Sequence, residues 1–427
     1  MTPEQSARLI SWDKEHLWHP FTPMRDWRAP DHEPLVLVSG QGALLRDSAG
    51  REYLDGNSSI WTNIHGHNHP VLNEAIRAQL ELVGHTSFLG FTNPPAIELA
   101  RQLVGLAAPG VLTRVFYTDD GSTAIEVAIK MALQYFQLKG QPGRTRFAAF
   151  ENGYHGDTMG AAGLGGIGLF RGRLASDGFP VAHVGSVADL ERIGAPETLA
   201  AVVIEPLIQG AAGMRPWPRG LLAGLRRWCD THGVLLIADE VMTGFGRTGT
   251  IFAFQQEEAV PDLLALAKGL TGGFMPLAAT LTTEAIFEAF DGETLYYGHS
   301  YCGNQIACAA ALASLRIFKE EAVLARLQPK IAHLALRMER MRAHPHIREV
   351  RQCGFIAGIE LGQRGGAPLD PASRTGARVC AAAREHGLLT RPILDTIVLM
   401  PPLCVTEAQV DQACEAVEKA VAAVLGR

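Results

Sequence analysis

Two residues at the ends of apolar runs carry the most chemistry in this sequence. Lys268 follows the run Leu263 to Ala267, and Asp239 follows the run Leu235 to Ala238. Short, wholly apolar runs of this kind predict buried strands of a parallel sheet. Side chains at the carboxyl ends of such strands face the crevice where open α/β sheets bind ligands. An amine and a carboxylate are thus delivered to one sheet edge. The amine can act as a nucleophile or base, and the carboxylate can hold a positive charge beside it.

That pairing matches the needs of pyridoxal phosphate. The cofactor requires a lysine amine to hold it as a Schiff base, and an aspartate to keep its pyridine nitrogen protonated. The stretch ADEVMTGFGRTG, which contains Asp239, is followed by AKGLTGG, which contains Lys268, at a spacing of 268 − 239 = 29 positions. Together these motifs resemble the signature of the class III, or omega, aminotransferases. The resemblance implies an α/β, fold-type I pyridoxal-phosphate transferase: a large domain whose mostly parallel sheet is covered by helices, plus a smaller α+β domain. It makes Lys268 and Asp239 the catalytic pair. It also places Tyr154, from ENGYHGDT, against one face of the cofactor ring and Val241 against the other.

The positioning elements are legible around these motifs. Thr113 to Thr118 predicts a strand feeding the helix of DDGSTAIEVAIKMALQYF, whose amino end carries Gly121 and Ser122. Free N–H groups and the helix dipole there favour a phosphate, and the resemblance assigns both residues to that group. Further strands are expected at Phe147 to Phe150 and Ala201 to Ile204, the latter ending in Glu205, which the resemblance places in the polar network of the site. YYGHSYCGNQ resembles the family's GHTYTGNP motif. There Gly298, His299 and Ser300 reach the phosphate of a cofactor held in the partner subunit, with Gly298 also counted among the substrate contacts. The implied assembly is a homodimer with shared active sites.

The amino-terminal WHPFTPM and SSIWTNIHGHNHP closely resemble one branch of the family, the 7,8-diaminononanoate synthases of biotin biosynthesis. In that branch Phe21, Ile60 and Trp61 line the substrate pocket, and the implied substrates are 8-amino-7-oxononanoate and an amino donor, S-adenosylmethionine or lysine. Phe21 and Ile60 replace the commoner aromatics and lean toward lysine. The resemblance carries the substrate-carboxylate role over to Arg391, whose guanidinium can make a two-pronged bond. Other readings are an omega-aminotransferase for a diamine or ω-amino acid, and an aminomutase.

With 427 residues, 47% of them hydrophobic, and a net charge of −6, the chain reads as a mildly acidic globular protein with room for two domains. The resemblance divides it into an amino-terminal segment (1–66), a large cofactor domain (67–322) and a small domain (323–427). No basic stripe points to nucleic acid. No run is long enough to span a bilayer, and the first residues lack a signal-peptide pattern, so a cytoplasmic location is expected. The seven cysteines are dispersed, which suggests free thiols, with Cys302 the one expected to be more exposed. His65, His67 and His69 alternate, yet no further ligand group stands beside them, and no metal is expected. GLGGIG (163–168) lacks a preceding strand, so it reads as a mobile active-site loop and not as a dinucleotide fingerprint.

Overall fold

The structure, a computed structural model, describes residues 1–168 and 178–426. Its centre is a seven-stranded sheet of β1 (Leu112–Thr118), β2 (Arg146–Phe150), β3 (Val181–Val184), β4 (Leu199–Ile204), β5 (Leu235–Asp239), β6 (Leu263–Leu266) and β7 (Ala278–Thr283), in the order β1-β7-β6-β5-β4-β2-β3. β7 runs antiparallel to both its neighbours, and the pairings among β6, β5, β4, β2 and β3 are parallel. The sequence predicted the mostly parallel sheet; the reversed β7 is a detail that apolar runs cannot encode.

Every residue of β4, β5 and β6 is buried, as expected for central strands covered on both faces. Alternation sorts them. Leu236, Ala238, Leu264 and Leu266 join one core with Leu99, Leu103, Leu225 and Trp228, whereas Leu235, Ile237, Leu263 and Ala265 join a second core with Ile125, Ala128, Ile129 and Phe136. The first core is fed by helices Pro94–Ala107 and Leu221–His232, and the second by α1, Gly121–Leu138. A charge introduced into either layer would be buried without a partner.

An antiparallel sheet of Ile347–Cys353, Ile356–Leu361, Thr396–Leu399 and Pro392–Ile393 forms the carboxyl-terminal part. Helices Val323–Met341 and Thr375–Ala383 pack against it, and Glu407–Leu425 packs against those two helices. The amino-terminal strands Leu37–Gln41, Leu44–Asp47 and Glu52–Asp55 are completed by Leu388–Leu389, which pairs in parallel with Glu52–Asp55. The two ends of the chain are thereby tied together beside the large sheet. No described helix is long and apolar enough to cross a membrane.

GLGGIG departs from its expected character. Residues 163 and 164 end the short helix Met159–Leu164, Gly163 to Gly165 are buried, and the Gly166 N–H donates to the Gly153 carbonyl at 2.9 Å. These glycines permit close packing under the ENGYHG turn instead of an open loop.

Candidate active site

Three chemically active side chains come from the ends of three adjacent strands. Ala238 pairs with Ile204 and Asp239 with Ala265, so Glu205 after β4, Asp239 on β5 and Lys268 just beyond β6 stand in a row. They share one cavity of ≈ 500 Å³ with Trp61, Gly121, Ser122, Tyr154, His155 and Val241.

Lys268 is pinned by its turn. Its φ is +45°, a left-handed conformation that costs a non-glycine residue free energy and persists only where the surroundings enforce it. Gly269, next in the chain, is packed so closely that an added Cβ would lie 3.0 Å from Phe245 and 3.1 Å from Ile64. The Lys268 ammonium sits 4.9 Å from the Trp61 ring centroid, within cation–π range. Burial lowers its proton affinity, and Asp239 and Glu205 oppose that shift. The free amine is therefore easier to reach than in an exposed lysine.

Asp239 is buried and held from two sides. Its Oδ1 accepts from the Val241 N–H at 3.1 Å, and its Oδ2 lies 2.8 Å from His155 Nδ1. His155 is itself buried. It follows Tyr154 in the chain, but its partner is not legible in the sequence, because the two are 84 residues apart.

Helix α1 begins at the cavity because Asp120 caps it, accepting from the Thr123 N–H at 3.0 Å, with Thr123 Oγ1 accepting in return from the Asp120 N–H at 3.1 Å. Gly121 has no room for a side chain: a Cβ there would lie 2.7 Å from Val241 Cγ1. Ser122 Oγ accepts from the Asp157 N–H at 3.1 Å, and Asp157 Oδ2 accepts from the Tyr154 hydroxyl at 2.7 Å. This chain of bonds fixes the tyrosine against the helix end. Burial, then the Asp157 bond, keeps the Tyr154 phenol protonated.

Pyridoxal phosphate can be tested against these features. A flat, charged ring needs a carboxylate, a lysine and apolar walls, and a phosphate needs exposed N–H groups. Asp239, Lys268, the Tyr154 and Val241 walls and the close-packed Gly121 at a capped helix start supply them. The residues present fit the group.

The other predicted residues are placed differently. Ser58, Ser59, Ile60 and Trp61 all have positive φ, between +47° and +68°, so they form one left-handed turn. Consecutive residues of such a turn diverge: Trp61 is buried on the cavity wall, whereas Ile60 is 49% exposed and off it. The resemblance implies that both line the substrate pocket, and the turn separates them. Phe21 is 62% exposed and likewise off the wall. Gly298, His299 and Ser300 also stand off the wall; His299 Nδ1 bonds Asp119 Oδ2 at 2.8 Å, and Asp119 lines this chain's own cavity. Cys302, expected to be more exposed, is buried, and its sulfur accepts from the His299 N–H at 3.1 Å. All seven cysteines are free thiols. Arg391 is partly buried and outside the wall, with no side-chain hydrogen bond or ion pair among the described residues.

The alternating histidines diverge as well. His65 Nε2 bonds Ser314 Oγ at 3.0 Å, His67 Nε2 bonds Asp55 Oδ2 at 2.9 Å, and His69 Nε2 lies 3.3 Å from Glu321.

One residue escaped the sequence reading. Arg247 is fully buried, donating to the carbonyls of Asn63 at 2.8 Å and Pro401 at 2.7 Å, and at longer range to those of Trp61 and Met400. It clamps the segment that carries Trp61 to the carboxyl-terminal part of the chain. The GFGRTG motif contained it, but nothing in the motif distinguishes a buried arginine from a surface one.

Known proteins agree with this geometry. The model of the family "Aminotransferase class-III" matches residues 27–171 and 174–421. An adenosylmethionine-8-amino-7-oxononanoate aminotransferase of Nitratidesulfovibrio vulgaris is 48% identical, over 98% of this chain and 82% of that protein. The enzyme of the same name from Geobacter sulfurreducens is 43% identical over the whole of both. Among solved structures, that of the same-named enzyme from Methanocaldococcus jannaschii superposes with a TM-score of 0.95 at 40% identity, covering 98% of this chain and 99% of the other. An (S)-enantioselective omega-transaminase from Thermomicrobium roseum gives 0.93 at 33%, covering 98% of each. The chain belongs to the class III aminotransferases, a family of pyridoxal-phosphate enzymes.

Proposed function

We propose that this protein transfers an amine to 8-amino-7-oxononanoate, giving 7,8-diaminononanoate for biotin biosynthesis. The observation that carries this reading is full-length identity of 43–48% to relatives of that name, joined to a cavity that holds the lysine, the aspartate and the capped helix start. Those names print adenosylmethionine, which favours it as the donor. Lysine is the alternative, motivated by Phe21 and Ile60.

Pyridoxal phosphate, when bound, supplies an electron-accepting ring and a carbon that carries an amine from one substrate to the next. Lys268 would anchor it through Nζ, and the same Nζ would move a proton at the reacting carbon of the substrate. Its lowered proton affinity keeps that nitrogen ready as a base. Asp239, oriented by the Val241 N–H and His155, would keep the ring nitrogen protonated. Tyr154 and Val241 would give the ring its walls, and Gly121 and Ser122 would receive the phosphate. Trp61 gives the substrate an apolar wall, and Arg391, with its guanidinium uncommitted, takes the substrate carboxylate. Exposed Phe21 and Ile60 complete the site together with Gly298, His299 and Ser300 of a second copy, in a homodimer.

A generic omega-transaminase is the second reading, favoured by the close superposition on the Thermomicrobium roseum enzyme. Incubating the loaded enzyme with 8-amino-7-oxononanoate and either S-adenosylmethionine or lysine, and detecting product by mass, decides between them. Formation of 7,8-diaminononanoate supports the first reading. No such product, with turnover of simple ω-amines, supports the second.

A further inference from the structure

Glu205 is the active-site group that the cofactor chemistry leaves unused. It is 6% exposed and lines the cavity. One oxygen, Oε1, accepts a long 3.4 Å bond from the Gly210 N–H. The other, Oε2, is buried with no hydrogen-bond partner among the described residues, although the Tyr154 backbone N–H acts on the carboxyl. A buried carboxyl oxygen without a donor carries a desolvation cost that native proteins rarely leave unanswered.

The resident cation that acts on it is Lys268. Lys268 is the sole lysine or arginine among the described residues of the cavity wall, which also presents Asp119, Asp120, Glu205 and Asp239. Asp119 is answered by His299, and Asp239 by His155. Lys268 is committed to the cofactor.

We infer that Glu205 receives the second, non-reacting amine of the substrate, and that the site is therefore built for an amine next to the reacting carbon. Adjacency follows from the strand ends. Glu205 neighbours Asp239 across one parallel pairing, and Lys268 stands one strand further on, so a ligand group meeting Oε2 lies beside the reacting centre and not at the far end of a chain. 8-Amino-7-oxononanoate is a vicinal amino ketone of this kind. The inference rests on the proposed reaction and deepens it. Burial, then the neighbouring Asp239, raises the proton affinity of the Glu205 carboxyl, and Lys268 opposes that shift. A substrate amine entering as the ammonium pairs with the carboxylate, and one entering neutral takes the proton of the acid form to make the same pair.

The test compares two acceptors on cofactor-loaded enzyme: 8-amino-7-oxononanoate and 7-oxononanoate, which lacks only the amine. Glu205→Gln keeps the shape and removes the charge. The expected result is a rise in KM for the amino acceptor of about tenfold to a hundredfold, with KM for 7-oxononanoate unchanged. Calorimetric binding of 7,8-diaminononanoate should weaken by the same factor. An equal change for both acceptors, or no change for either, would overturn the role of Glu205. Absence of turnover of either acceptor by the unaltered enzyme would instead refute the proposed reaction, and diamine binding would then test Glu205 by itself.

Discussion

His155 Nδ1 lies 2.8 Å from Asp239 Oδ2, and both side chains are buried. The contact fixes which way the carboxylate faces, since Oδ1 is already taken by the Val241 N–H. Replacing His155 by Phe leaves Asp239 with one orienting donor. We expect kcat to fall by about tenfold to a hundredfold, the cost of one charge-assisted hydrogen bond. The visible band of the bound cofactor should shift as well. Unchanged kcat and spectrum would show that the histidine does not orient the acid.

Lys268→Ala should preserve the fold and abolish multiple turnovers, because no other amine lines the described cavity wall. Far-UV circular dichroism checks the first half and product formation the second. Retained turnover would move the base elsewhere.

Arg247 predicts a stability effect. Its guanidinium serves four backbone carbonyls inside the protein. Arg247→Met should cost about 3 kcal/mol or more, since charged hydrogen bonds are lost and buried acceptors are stranded. The check is the denaturant midpoint. Activity should also fall, through displacement of Trp61.

His65 predicts acid lability. Burial pushes its pKa down from 6.5 to about 3. Between those values the unfolded chain takes up a proton that the folded chain refuses, so stability is lost as pH falls from 6.5 toward 3. The slope reaches at most about 1.4 kcal/mol per pH unit. His65→Gln, which can still bond Ser314, should flatten the pH profile of the unfolding midpoint in that window.

Arg391→Ala should raise the acceptor KM by about tenfold or more while sparing the S-adenosylmethionine half-reaction, if the guanidinium takes the acceptor's distal carboxylate. Steady-state kinetics with each substrate varied in turn provide the measurement.

The sequence made some of this site legible and hid the rest for physical reasons. Lys268, Asp239, Gly121 and Ser122 were readable because each sits where a strand ends or a helix begins, and apolar runs mark those points. The covered parallel sheet followed from the same runs. Partnerships were not readable: His155 with Asp239, and Arg247 with Asn63 and Pro401, join residues far apart in sequence, and only the packed fold brings them together. Ile60 and Trp61 show a subtler limit. The resemblance implies that both line the pocket, yet a left-handed turn sends Trp61 to the cavity wall and leaves Ile60 exposed off it. Glu205 was recognised as a strand-end acid, but its lone unpartnered oxygen is visible only once the cavity has closed around it.

The most direct test of the central claim is a stopped-flow experiment on the cofactor-loaded enzyme, following its visible absorption. S-Adenosylmethionine or lysine is offered first, and 8-amino-7-oxononanoate second. We predict that S-adenosylmethionine bleaches the band, and that 8-amino-7-oxononanoate restores it with release of 7,8-diaminononanoate. A band that donors bleach but 8-amino-7-oxononanoate fails to restore would contradict the assignment of the acceptor.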